Sequence, residues 1–209
     1  PQPDNAAISP ARSTKRRIVA LADAWGTRHG GINAFNTGLM KALGQLLRGT
    51  DVDVVCLVES CVLADQDEAK NWGVCLRATG KPMIASLEAV AVVPGILDDA
   101  PTGTTAVWLG HDDKTGHLAL ALRDQFGGQA ALIHHMAHGA YQGHKTGDSQ
   151  TALAKEHAQR ALFAAADLCY AVGPLLRDQL TDLVSTTPAS PGVTMLVPGL
   201  ENLGDYGVR

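Results

Sequence analysis

The stretch IVALADAWGTRHGGIN, residues 18–33, decides how the whole chain is read. Its opening run, Ile18 to Ala22, is apolar without interruption, the pattern of a strand buried on both faces rather than of one with a wet side. A polar turn with glycines follows. From Asn33 to Leu47 apolar residues then recur at three- and four-residue spacing, the period of a helix with one buried face. Buried strand, glycine turn and amphipathic helix make the first half of a βαβ unit.

The rest of the chain repeats this alternation. Further apolar runs lie at Val52 to Val58, Ala106 to Leu109, Ala130 to Ile133, Leu168 to Val172 and Thr194 to Val197. Helical spacing fills Thr115 to Phe126, Ser149 to Ala165 and Pro174 to Leu183, with Pro174 suited to a first turn and Asp148 or Ser149 to a cap. Strands and helices in alternation predict an α/β fold with a doubly wound, mostly parallel, Rossmann-like sheet. Leu63 to Gly103 is the least readable part, with a helix expected around Asp67 to Trp72 and apolar segments near Met83 to Val93. Residues 1–15 read as a disordered leader, 16–203 as one Rossmann-like domain without repeats, and 204–209 as a tail or the start of a linker.

Composition narrows the function classes. A chain of 209 residues, 45% hydrophobic and 18% charged, buries enough apolar surface to fold without disulfides or a structural metal. Cys56, Cys61, Cys75 and Cys169 form no CxxC pair and read as reduced thiols. The net charge of −4 and the shortness of the basic cluster Lys15 to Arg17 argue against a nucleic-acid partner. No apolar run approaches the roughly 20 residues of a membrane span, and the polar opening is not a signal peptide, so the expected location is cytoplasmic.

Ligands of open parallel sheets bind beyond the carboxyl ends of the strands, and there this sequence concentrates titratable residues. Gly30 and Gly31 precede a helix, where bare amides and Arg28 can meet a phosphate, although a glycine pair is equally at home in a plain turn. His134, His135, His138 and His144 form the densest imidazole cluster. The HHMAH pattern lacks the glutamate of HExxH enzymes and directly follows a strand, so a loop is expected, without a catalytic metal. The competing reading is one orienting histidine and several exposed ones. Asp112 either lines the same cleft or caps the following helix at Thr115.

Taken in order, these segments resemble the N-terminal Rossmann-like half of a GT-B glycosyltransferase, of the retaining group that includes glycogen, starch and sucrose synthases. Arg28-His-Gly-Gly-Ile32 resembles that family's Lys-x-Gly-Gly-Leu loop, and His111-Asp-Asp-Lys-Thr115 its His-Asp-Trp-His-Thr segment. Ile133-His-His135 through Tyr141-Gln-Gly143 resembles Ile-His-Asn followed by Tyr-Gln-Gly. Ala165-Ala-Asp167 through Ala171-Val-Gly173 resembles the family's Ala-Asp-x-(hydrophobic)-x-Ala-Val-Ser strand, and Val193 through Pro198-Gly199 its Val-x-Val-Ile-Pro-Asn-Gly segment, where the chain leaves the first domain. The departures are Asp113 and Lys114 in place of Trp and His, Gly173 in place of a common serine, and the missing asparagine of the Pro-Asn-Gly turn.

The resemblance implies transfer of a sugar from a nucleotide-sugar donor to a hydroxyl acceptor, with no further cofactor. It implies that His134 and His135 are catalytic, and that Arg28, Gly30, Gly31, His111, Asp112, His138 and Tyr141 bind substrate. It also implies a C-terminal Rossmann-like domain, absent from this chain, that holds most of the nucleotide, so that this half alone is expected to be inactive. The alternative is a non-catalytic recognition or sensor module of a larger protein.

Overall fold

The apolar run near the start of the chain becomes β1 (Arg16–Leu21), in which Val19, Ala20 and Leu21 are all fully buried. Residues 16–97, 105–137, 141, 149–185 and 191–198 are described by the computed structural model. The other strands are β2 (Val52–Val58), β3 (Val74–Ala78), β4 (Thr105–His111), β5 (Gln129–His134), β6 (Leu168–Val172) and β7 (Val193–Leu196). All pair in parallel, in the order β3-β2-β1-β4-β5-β6-β7. The predicted α/β, Rossmann-like sheet is therefore present, and every described pairing in it is parallel.

The helices are α1 (Gly31–Leu46), α2 (Leu63–Asn71), the single turn α3 (Val93–Ile96), α4 (Asp112–Phe126), α5 (Ser149–Ala164) and α6 (Pro174–Val184). The pleat of β1 sends Val19 and Leu21 to one face and Ala20 to the other, seeding two cores. One packs Leu57, Trp108 and Leu132 against Leu118 and Leu122 of α4, Phe163 of α5 and Leu180 of α6. The other packs Cys56 and Ile133 with Met40 of α1, Ala69 of α2 and Trp25. Each large side chain so buried contributes roughly 1.5–3 kcal/mol. Cys56 and Cys169 belong to these cores as free thiols, and burial pushes both up to about 12.

Two corrections to the sequence reading concern local structure. β3 is not among the apolar runs, because Val74 and Leu76 are buried while Arg77 and Ala78 at its end are exposed, as suits an edge strand. Helix α4 begins at Asp112, ahead of Thr115, and Asp112 does not cap it. The Thr115 hydroxyl instead reaches back from the first turn of the helix, accepting from the His111 amide at 2.9 Å and donating to the Leu21 carbonyl at 2.8 Å. Thr115 thereby ties the α4 start to β1. A side chain at Gly110 would lie 2.8 Å from the Gly116 Cα, so only glycine lets the first turn of α4 close over the end of β4.

Candidate functional site

Strand order reverses between β1 and β4, which places the switch point of the sheet at the carboxyl ends of those strands. Register pairs His111 with Ile133, so Asp112 arrives beside His134. Leu132 enters the α4–α6 core and Ile133 the α1 core, and His134 and His135 continue that alternation. The histidine pair thus straddles the end of the sheet.

On the α4–α5 side, His134 is 1% exposed and Asp112 is fully buried. His134 Nδ1–H donates to Asp112 Oδ1 at 2.9 Å, and the imidazole meets Phe163 edge-on at 5.5 Å. The second oxygen, Oδ2, accepts the His135 backbone N–H at 2.8 Å. Gln159 of α5, also buried, donates to Asp112 Oδ1 at 3.3 Å and to the Met136 carbonyl at 3.0 Å. The carboxyl group is a hub that fixes the segment leaving β5. Asp112 holds this position with φ 42°, a left-handed conformation that costs a non-glycine residue energy and that aspartate tolerates better than most. His134 also borders a cavity of about 260 Å³ lined by Glu156, Gln159, Arg160, Gln179 and Asp182.

On the α1 side the partners are neutral. His111 is 1% exposed and its Nε2 lies 3.0 Å from Asn36 Oδ1, while its Nδ1 lies 2.9 Å from His135 Nε2. Asn36 Nδ2 in turn donates to the Cys56 thiol at 3.5 Å. Phe35 packs edge-on against the His135 ring at 4.8 Å. Burial, followed by the neighbouring His135 and Lys114, pushes His111 down to about 3. Burial also pushes His135 down to about 4, against the opposing pull of Asp112. Both rings are neutral at physiological pH.

The glycine turn lies beside this cluster. Gly30 has φ 97° and stands immediately before α1, with Gly31 as its first residue and open space around both Cβ positions. The first amides of a helix have no intrahelical acceptor, and the dipole of a 16-residue helix adds positive potential there. Arg28 is exposed, its Nε hydrogen-bonded to His29 at 3.0 Å and its guanidinium 3.5 Å from Asp65. Asn33 is buried, donates to the His29 carbonyl at 2.8 Å, and leaves Oδ1 without a hydrogen-bond partner among the described residues. Trp25 is buried and donates through Nε1 to Glu68 at 2.9 Å, pinning the turn from beneath.

Arg28, Gly30, Gly31, His111, Asp112, His134 and His135 therefore sit at one end of the sheet. His111, Asp112 and His134 are buried beneath its surface, whereas His135 is half-buried and Arg28 is exposed. Tyr141 is exposed, its amide donating to the Ala137 carbonyl, and His138 lies outside the described residues. Asn36 and Gln159 escape the sequence reading although both are members of the site. Each is a polar residue on the buried face of a helix, and that misplacement in the pattern was the available signal.

A family model described as GT4-conflict, Family 4 Glycosyltransferase in conflict systems, matches residues 19–206. No curated protein sequence matches the chain.

Proposed function

The chain belongs to the GT4-conflict family of glycosyltransferases, and from that premise we propose that it is the acceptor-side domain of a GT-B enzyme using a nucleotide-sugar donor. The observation that carries this reading is the open glycine-led start of α1, set at the switch point beside the half-buried His135. As the glycosidic bond to the diphosphate breaks, negative charge builds on the leaving oxygens. The amides at the start of α1 and the Arg28 guanidinium are the groups suited to stabilise it. A new bond forms between the anomeric carbon and the acceptor oxygen, and the acceptor's proton leaves with the nucleoside diphosphate. His135 orients a sugar hydroxyl, and the Asp112 hub holds that imidazole in place through its backbone. Much of the rate would come from positioning between two closing domains, so the proposal includes a second Rossmann-like domain, with the retaining chemistry of the synthases that the motifs resemble.

The test is a thermal-shift screen of the 209-residue chain against UDP, ADP, GDP and their common sugar conjugates. A ligand that binds the folded state raises Tm by mass action, so a reproducible rise with a sugar nucleotide is expected. No rise with any of them at saturating concentration overturns the assignment of a phosphate cradle to the start of α1 in this chain. A second reading, a recognition module without turnover, is favoured by Asp113 and Lys114 where the resembled segment carries Trp and His. Binding of a sugar nucleotide by the full-length protein with no release of nucleoside diphosphate would select it.

A further inference from the structure

We propose that Asn36 and His111 are positioning residues that fix His135 in its Nε2–H tautomer, so that the bare Nδ1 of that ring accepts a hydrogen bond from a ligand hydroxyl. The ligand half of this proposal rests on reading the carboxyl end of the sheet as the sugar-binding cleft.

The argument is a chain of donors and acceptors. Asn36 Nδ2 is committed to the Cys56 thiol, which turns the amide oxygen toward His111 Nε2 at 3.0 Å. A carbonyl oxygen can only accept, so His111 carries its proton on Nε2. A neutral imidazole has one N–H, which makes His111 Nδ1 an acceptor. The ring nitrogen facing it at 2.9 Å, His135 Nε2, must then be the donor. His135 is left with a lone pair on Nδ1, which no group bonds among the described residues. Burial keeps both rings unprotonated, which removes the cationic form that would erase the distinction. Phe35 holds the ring plane from α1, and the Asp112 carboxyl group holds the His135 backbone, so the acceptor is fixed in direction as well as in kind. A histidine so prepared selects hydroxyl donors, the groups in which sugars are rich, over anionic acceptors.

The experiment is long-range 1H–15N NMR of the 15N-labelled full chain at pH 7, with the rings assigned by single substitutions. Both His111 and His135 are expected to carry the proton on Nε2. A proton on His135 Nδ1, a rapidly exchanging mixture, or a proton on His111 Nδ1 from a reversed Asn36 amide overturns the proposal. In Asn36→Leu, similar in size but without the acceptor, the buried His111 Nε2–H is unsatisfied and its proton is expected to move to Nδ1. His135 then shifts to Nδ1–H. In His111→Phe the His135 tautomer is expected to lose its fixed state. An unchanged His135 spectrum in a folded form of either variant also overturns the relay. The two readings fail separately, since a wrong tautomer removes the relay whatever binds, while absence of any sugar-nucleotide shift removes the ligand assignment with the tautomers in place.

Discussion

His134 and His135 are consecutive in the chain, yet one is locked to a buried carboxyl group on the α4–α5 side and the other meets a second imidazole on the α1 side. The difference is imposed by the pleat, which turns adjacent side chains to opposite faces, and by register, which sets Asp112 next to His134. It teaches that residue type alone does not define a site histidine. The His134 ring is locked to Asp112 Oδ1, whereas Oδ2 holds only the His135 backbone, and the half-buried His135 ring keeps a nitrogen that no described residue bonds.

The strongest way to break the comparison is to remove the hub. Asp112→Ala leaves His134, the His135 amide and Gln159 without their shared acceptor, and is expected to cost roughly 3–5 kcal/mol, read as a fall in the denaturant midpoint. A loss below about 1 kcal/mol would show that the buried cluster is not structural.

The histidines themselves then separate. His134→Ala is expected to destabilise by roughly 2–4 kcal/mol, and His135→Ala by about 1 kcal/mol, because the second ring is only half-buried. Sugar-nucleotide affinity measured by calorimetry should fall more for His135→Ala. Equal stability losses would erase the distinction between the two faces.

Acid sharpens the α1 side. His111 and His135 have folded values of about 3 and about 4, below the ordinary 6.5 of the unfolded chain, so below pH 6.5 the unfolded state binds more protons. Their contribution is complete above that pH and is lost as pH falls toward the folded values. Between pH 6.5 and 5.5 the two together should cost about 2 kcal/mol, measurable by denaturation at each pH. In His111→Phe the acid-dependent loss should be roughly halved, and an unchanged profile would contradict the assignment.

The smallest effect on stability is expected at the glycine turn. Arg28→Ala removes an exposed side chain whose ion pair to Asp65 spans 3.5 Å, so stability should change by less than about 0.5 kcal/mol. Affinity for UDP or another nucleoside diphosphate should nevertheless fall. Unchanged affinity would remove Arg28 from the phosphate cradle.

Much of the fold is legible in the amino-acid sequence because strands buried on both faces are nearly continuous apolar runs. β2 and β6 coincide with Val52 to Val58 and Leu168 to Val172, and β1, β4, β5 and β7 lie within about two residues of their runs. β3 is illegible for the converse reason, since a five-residue edge strand interrupted by the exposed Arg77 carries no such run. The site is legible as a set of residues, because polar groups crowd the positions after β1, β4 and β5. Its wiring is not, because Asn36 and Gln159 lie 75 and 47 residues from the partners they hold.

The sequence by itself determined the alternation of strands and helices, the glycine turn before α1 and the histidines after β5, all of them consequences of local pattern and periodicity. Only the tertiary structure decided which imidazole meets a carboxyl group and which meets a neutral amide relay. That choice depends on parallel register and on which helix covers each face, and both are set by contacts between residues far apart in the chain.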